Sequence, residues 1–172
     1  MGRRLRPLPA RSKALGAKPE HWKGSQSLMI NQGMMTSELP NWATPQDLFD
    51  DLHEEFGFQL DVCAEDWNAK CSDYYTVEND GLASSWGNKI CWMNPPYGRD
   101  IKFWMQKAVS EWKLGATVVC LIPSRTDTAW WHEYSMQGKI RFLRGRIKFV
   151  HPDGTTKDAA PFPSAIVVFD HA

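Results

Sequence analysis

The sequence predicts an α/β domain with a mixed, mostly parallel sheet and helices on both of its faces. Residues 90–93 and 117–122 are short, continuous apolar runs, as is typical of strands that are covered on both faces. Between them, residues 101–113 carry apolar side chains at helical spacing. A strand, a helix and a second strand in this order form a right-handed parallel unit. At 172 residues, the chain is long enough to bury the core of one such domain.

Residues 1–40 differ in composition from the rest of the chain. They contain few periodic apolar residues and several of Pro, Gly and Ser, which predicts a flexible tail and linker before a domain at residues 41–172. Residues 1–27 hold seven basic side chains and a single acid, Glu20, although the whole chain has a net charge of zero. A basic arm of this kind suits a nucleic-acid partner, and it is equally typical of a solubilising tail.

Composition also narrows the class of protein. The four cysteines lie in no spacing that binds zinc, so no metal site is predicted. No apolar run reaches the length of a membrane span, and the basic N-terminus is not followed by an apolar signal segment. We therefore expect a cytoplasmic protein with no membrane partner, and the oligomeric state stays open.

Two elements are predicted early in the domain. A helix is expected to begin with Thr44 as its N-cap and Pro45 in its first turn, and to end at Gly57. Residues 58–64 are typical of a buried strand that leads into a loop. In α/β sheets, ligands bind beyond the carboxyl ends of the strands. Asp61 would therefore accept a hydrogen bond from a ligand or cap the following loop, and the cap is the simpler interpretation.

The next interval is short. Only residues 62–93 separate Asp61 from Asn94, which leaves no room for two further strand–helix units. A short strand at residues 73–77 and a turn at Asp80-Gly81 are predicted within it. The sheet is therefore expected to be smaller than a full doubly wound sheet.

Four features are predicted after residue 122. They are a loop with Arg125, a short helix ending at Gly138, a hairpin of residues 139–142 and 146–150 around Gly145, and a last strand at residues 166–169. The hairpin region clusters four basic side chains, which are Arg141, Arg144, Arg146 and Lys148. Such a cluster would contact a DNA backbone, or it would form a solvated face, and Arg125 is a further candidate for a phosphate contact.

The turn Asn94-Pro95-Pro96-Tyr97 follows the strand at residues 90–93. Two consecutive prolines end a strand, because neither donates a ladder hydrogen bond and each restricts the residue before it. An exocyclic amine on a nucleobase is a weak nucleophile, because its lone pair is delocalised into the ring. The side-chain oxygen of Asn94 and the carbonyl of Pro95 would accept hydrogen bonds from the two N–H groups of this amine. They would thereby stabilise the positive charge that develops on the nitrogen as it attacks. Tyr97 would stack on a base taken out of its helix.

These four residues resemble the catalytic motif of amino-methyltransferases that use S-adenosylmethionine. From about residue 42 to residue 169, the chain more narrowly resembles the small phage-type DNA N6-adenine methyltransferases, with Gly-Arg-Ile-Lys-Phe and Ala-Pro-Phe-Pro-Ser as further similar segments. The resemblance implies a reduced, Rossmann-like class I methyltransferase fold. It also implies methyl transfer from S-adenosylmethionine to the N6 amine of an adenine flipped out of double-stranded DNA.

The resemblance also implies roles for particular residues. The catalytic set is Asn94, Pro95, Pro96 and Tyr97. The cofactor-binding set is Trp42, Thr44, Pro45, Asp61, Cys63, Ala64, Asp80 and Asn94. The DNA-binding set is Tyr97, Arg125, Arg141, Arg144, Arg146 and Lys148. The glycine-rich loop that methyltransferases usually carry after the first strand is absent.

Two other functions remain open at this level. One shares the chemistry but has a different substrate, an RNA base or a protein glutamine. The other belongs to a different class, a non-catalytic nucleic-acid-binding protein on a methyltransferase scaffold, and the missing glycine-rich loop is its best support.

Overall fold

The computed structural model describes residues 42–156 and 158–171, so the predicted tail at residues 1–40 lies outside the described residues. The helices are α1 (Gln46–Phe56), α2 (Ile101–Lys113) and α3 (Ala129–Glu133), and a 3₁₀ turn follows at Ser135–Gln137. The strands are β1 (Leu60–Asp61), β2 (Ile90–Met93), β3 (Thr117–Pro123), β4 (Lys139–Phe142) and β5 (Ser164–Phe169). Every helix in these residues is too short or too polar to span a bilayer.

The five strands form one mixed sheet in the order β1-β2-β3-β5-β4. Strands β1, β2 and β3 are parallel to one another, whereas β5 runs antiparallel to both β3 and β4. The predicted α/β class and the predicted β2-α2-β3 unit are therefore confirmed. Because β1, β2 and β3 share a direction, the loops after Asp61, Met93 and Pro123 all leave from the same edge of the sheet.

Helices cover both faces of the sheet. On one face, α1 packs Phe49 and Leu52 against Trp92, Val119 and Leu121. On the other face, α2 packs Met105 and Ala108 against Cys91, Met93 and Val118, and Trp131 of α3 joins the same layer. The alternation of side chains along β2 and β3 thus divides their apolar residues between two cores.

The start of α1 differs from the prediction. Pro45, not Thr44, occupies the N-cap position, and no side chain caps this helix. The carbonyl of Pro45 instead accepts the first helical hydrogen bond, from the amide of Phe49 at 3.1 Å. The predicted end at Gly57 is confirmed, with a left-handed φ of 69° that a residue without a Cβ adopts at no steric cost.

The predicted strands at residues 58–64 and 73–77 were too long. Only Leu60–Asp61 forms a strand of the first segment, and the second contributes a single bridge from Tyr74 to Asp61. Around this bridge, the amide and carbonyl of Asp61 pair with residues 73 and 75. The sheet edge is therefore closed by a loop that is bonded to Asp61 and, through the carbonyl of Tyr75, to the amide of Ala64.

The predicted hairpin of residues 139–142 and 146–150 was wrong. Strand β4 pairs with β5, since all six residues of β5 are buried and a central strand needs a partner on each side. The segment after Gly145 instead joins Val150 to Ala43, and the carbonyl of Ile147 accepts from Ala160 at 2.8 Å. It therefore folds over the α1 face, with Ile147 and Phe149 buried in that core.

Candidate active site

A cavity of about 360 Å³ lies beyond the carboxyl ends of β1 and β2. Its walls come from the segment before α1, the loop after β1, the turn around Gly81, the residues after β2, and α2. The side chains that face it include Trp42, Trp104 and Tyr75, together with polar groups of both charge signs. Such a mixture of apolar walls and a few polar groups is typical of a small-molecule site at the carboxyl edge of an α/β sheet.

Most of the residues predicted to bind a cofactor line this cavity. They are Trp42, Thr44, Asp61, Cys63, Ala64, Asp80 and Asn94. Pro45 does not line it, because this residue opens α1 instead. The sequence therefore predicted the location of the cavity well, and the role of each residue in binding stays a prediction.

Asp61 is the buried acid of the cavity. One of its carboxylate oxygens accepts from the amide of Cys63 at 3.3 Å, and the other accepts from the amide of Lys70 at 3.1 Å. Burial raises the pKa of Asp61 to about 6, and the two amide donors oppose that rise. Asp61 therefore caps the loop after β1, as the simpler interpretation predicted, and it also lines the cavity, where its hydrogen bond to a ligand stays a prediction.

Thr44 contributes a hydroxyl that the fold leaves unpaired. Its side chain is 2% exposed and lines the cavity, and within the described residues its Oγ1 has no hydrogen-bond partner. A buried hydroxyl without a partner costs free energy, about 1–3 kcal/mol. A polar ligand atom in the cavity would satisfy it.

Asn94 stands between the cavity and the turn that follows β2. Its side chain lines the cavity, while Nδ2 donates to the carbonyl of Trp42 at 3.2 Å and Oδ1 accepts from the hydroxyl of Tyr97 at 2.8 Å. The carbonyl of Trp42 accepts only, so it fixes which end of the amide faces which partner. The acceptor oxygen of Asn94 is therefore held in one orientation and keeps a second lone pair.

Tyr97 lies outside the cavity and packs against the other side of Asn94. Its hydroxyl also lies 3.1 Å from the carbonyl of Leu121, and its ring meets Phe149 and Phe162 at interplanar angles of 74° and 78°. Burial raises the pKa of Tyr97 well above its ordinary value, so the hydroxyl stays a proton donor. Pro96 lines the cavity, and in the described part of the chain the carbonyl of the buried Pro95 accepts no hydrogen bond.

The residues predicted to bind DNA occupy two different settings. Arg125, Arg144, Arg146 and Lys148 are exposed. Arg141 is held by Glu55 of α1 through two hydrogen bonds of 2.6 Å, which lowers the pKa of Glu55 and raises that of Arg141. Arg141 therefore has a partner within the protein. Arg146 and Lys148 alternate with the buried residues Ile147 and Phe149, so their side chains lie on the exposed side of this segment.

Several residues of the cavity are absent from the predicted cofactor-binding set, among them Lys70, Trp104 and Gly81. Lys70 brings an ammonium group, Trp104 of α2 brings a ring, and Gly81 brings a wall without a side chain. A Cβ on Gly81 would lie 2.1 Å from the carbonyl oxygen of Val62 and 3.2 Å from Trp104. The Asp80-Gly81 turn signal was correct, but only the packed structure shows that the glycine permits this close approach.

The fold and the cavity together define a reduced α/β domain of the kind that binds nucleotide-like ligands at the carboxyl edge of its sheet. A family model described as DNA N-6-adenine-methyltransferase (Dam) matches residues 33–172. The chain therefore belongs to the DNA N-6-adenine-methyltransferase family. This membership confirms the predicted class of enzyme, an adenine-specific DNA methyltransferase.

Two curated relatives come from bacteriophages. The DNA N-6-adenine-methyltransferase of Haemophilus phage HP1 is 30% identical over 149 residues, which cover 83% of this chain and 86% of the relative. The enzyme of the same name from Escherichia phage T1 is 34% identical over 147 residues, which cover 70% of this chain and 60% of the relative. These matches confirm the resemblance to phage-type enzymes that the motifs indicated.

Proposed function

We propose that this chain transfers a methyl group from S-adenosylmethionine, bound in the cavity, to an adenine amine held at Asn94. The observation that supports this most directly is the position of Asn94. Its side chain faces the cavity on one side, and its acceptor oxygen is fixed by Tyr97 on the other. An acceptor held at the mouth of a ligand cavity is suited to align a nucleophile with a group carried by that ligand.

The residues of the cavity fit S-adenosylmethionine. The unpaired hydroxyl of Thr44 and the buried carboxylate of Asp61 match the polar amino-acid end of the cofactor, and the rings of Trp42 and Trp104 match its apolar surface. When bound, the cofactor supplies an electrophilic methyl group on a positively charged sulfur. Gly81 allows one wall of the cavity to approach the carbonyl of Val62 and the ring of Trp104 closely, which a side chain at residue 81 would prevent.

Asn94 and Pro95 would prepare the amine. Oδ1 of Asn94 has one remaining lone pair, and the carbonyl of Pro95 accepts no hydrogen bond from the described residues. Two acceptors on the two N–H bonds draw the nitrogen toward a tetrahedral geometry and stabilise its developing charge. Their fixed positions require no rearrangement at the moment of transfer, since Trp42 and Tyr97 already hold the amide.

The target adenine would have to leave the DNA helix to reach Asn94, because its amine is paired inside the duplex. The ring of Tyr97 would then lie beside the base, although Phe149 and Phe162 already contact this ring. The exposed side chains Arg144, Arg146 and Lys148 lie on the segment that supplies Phe149, so they would bind phosphates next to the extruded base.

The substrate is tested by methyl transfer from labelled S-adenosylmethionine to adenine-unmethylated DNA, to RNA and to protein, followed by nucleoside analysis. We expect label in N6-methyladenine from DNA only. Label confined to RNA or protein would contradict the DNA assignment. The absence of label from all three, together with the absence of cofactor binding by calorimetry, would favour a non-catalytic scaffold.

A further inference from the structure

A second cavity, of about 320 Å³, lies between α2 and α3. Its walls combine aromatic rings with polar side chains, and they include Lys102, Phe103, Gln106, Trp130, Glu133 and Tyr134. Helix α2 begins shortly after the turn at residues 94–97, and α3 follows the carboxyl end of β3. Because β2 and β3 are parallel, this cavity lies at the same edge of the sheet as Asn94.

The two cavities flank the first turns of α2. Trp104 lines the first cavity, and Phe103, one residue earlier, lines the second. Successive residues of a helix point about 100° apart, and a helix with its side chains is about 10 Å across. One strand of DNA advances about 3.4 Å per nucleotide. The second cavity therefore lies about three nucleotide steps from the first.

The walls of the second cavity suit a flat ligand with polar edges. Phe103 is 47% exposed and belongs to neither core, and the Nζ of Lys102 lies 4.8 Å from the centroid of its ring. In the part of the chain that the structure describes, the side chains of Lys102, Gln106 and Glu133 make no hydrogen bond or ion pair. Rings that stack and free groups that bind an edge are the two means by which proteins hold an unstacked nucleobase.

Cations without an ion pair lie at this edge of the sheet. Among the described residues they include Arg99, Lys102, Arg125 and Arg144, which follow the carboxyl ends of β2, β3 and β4. The acids Asp100, Asp127 and Glu133 lie among them, so the surface carries both signs of charge. Cations of this kind position a nucleic-acid backbone, while the choice of base is left to groups that reach the base itself.

We propose that the cavity between α2 and α3 binds an unstacked base of the DNA substrate, within about three positions of the target adenine. The rings of Phe103 and Trp130 contact its faces, and Gln106 and Glu133 bind its edge. The inference rests on the proposed function and adds a second base site to it. Extrusion of the adenine deprives its partner and its neighbours of stacking, so the capture of one of them offsets part of the cost of extrusion.

The test measures the affinity of the full chain for an unmethylated duplex that contains the adenine it methylates, by fluorescence anisotropy. An abasic residue replaces, one at a time, each base within three positions of that adenine on both strands. For the wild type, loss of the captured base should lower the affinity about 5- to 100-fold, the range expected for one stacked base. Phe103→Ala should bind the intact duplex about as weakly, and it should lose little further affinity at that position.

Phe142→Ala is the matched control, since it makes the same change at an exposed ring outside both cavities. It should show the wild-type loss at every abasic position. Each comparison between duplexes is made within one variant, so it does not depend on the folded fraction.

Three results would contradict the proposal. If Phe103→Ala shows the full wild-type loss at every abasic position, the second base site is wrong, while methylation of DNA by the wild type would leave the proposed function intact. If sedimentation shows a wild-type dimer that Phe103→Ala dissociates, the cavity belongs to an interface between two copies of the chain. A wild type that methylates no adenine in DNA would overturn the proposed function and the second site with it.

Discussion

Removal of one hydroxyl from Tyr97 tests whether this residue acts by holding Asn94. In Tyr97→Phe the ring stays, but Oδ1 of Asn94 and the carbonyl of Leu121 lose the donor that lies 2.8 and 3.1 Å from them. The hydroxyl has one hydrogen, which these two acceptors share, and such a bond contributes about 0.5–1.5 kcal/mol, so the free energy of unfolding should fall by about that amount. The amide keeps its second anchor, the carbonyl of Trp42.

The catalytic effect of Tyr97→Phe should lie below that of losing the acceptor altogether. Loss of a fixed hydrogen-bond partner of a developing charge slows a reaction about 10²- to 10³-fold. In Tyr97→Phe the acceptor Asn94 remains but is less well aligned, so kcat should fall by only about tenfold. Single-turnover methylation of a short duplex measures this, and filter binding of the same duplex should show unchanged affinity because the ring remains.

A double variant provides the control for Tyr97→Phe. If the hydroxyl acts through Asn94, then Tyr97→Phe should cause no further loss of rate on top of Asn94→Ala. Wild-type turnover in Tyr97→Phe would refute the positioning role and leave the ring as the active part. An additive loss in the double variant would show that the hydroxyl acts independently of Asn94.

Three further predictions concern the cavity and the DNA surface. The pKa of Asp61 is about 6, and in the proposed function its ionised form binds the ammonium group of the cofactor, so cofactor affinity should fall about tenfold between pH 8 and pH 5. Calorimetry across this pH range measures the change. Asp61→Asn should bind the cofactor weakly at every pH. Gly81→Ala should lower the free energy of unfolding by about 1–3 kcal/mol and weaken cofactor binding, because the new Cβ collides with the backbone carbonyl of Val62. The Cβ of Gly98→Ala meets open space, so this control variant should change neither quantity in the same denaturation and binding assays. Loss of both Arg146 and Lys148 should reduce the slope of log DNA affinity against log salt by about 2, and an unchanged slope would exclude them as phosphate contacts.

Local patterns in the sequence were sufficient for the elements around Asn94. Residues 90–93 and 101–113 formed the predicted strand and helix within the predicted bounds, because a buried apolar run and an amphipathic period each define one element. The Pro-Pro pair correctly ended the strand at Met93. From these alone, the sheet edge with Asn94 could be predicted.

Features that depend on distant partners could not be predicted in the same way. The segment at residues 146–150 has the alternation of a strand, but its neighbours are Ala43 and Ala160 rather than β4. Likewise, nothing near Lys70 in the chain indicates that its ammonium reaches the start of α1. Both facts follow from how the loops fold over the sheet, which a local pattern does not encode.

The cap assigned to Thr44 was wrong for a related reason. Thr before Pro is a typical helix start, yet Pro45 takes the N-cap position, and the hydroxyl of Thr44 has no hydrogen-bond partner among the described residues. Thr44 is buried and lines the cavity, and this position depends on distant parts of the chain that a local motif does not encode.

The most direct test of the central claim is the single-turnover rate of Asn94→Ala, measured with the affinities for cofactor and DNA. The position of Asn94 between the cavity and Tyr97 predicts a fall in the methylation rate of about 10²- to 10³-fold, with both affinities within about threefold of the wild type. A variant that binds both ligands and still methylates adenine at the wild-type rate would show that the chemistry lies elsewhere.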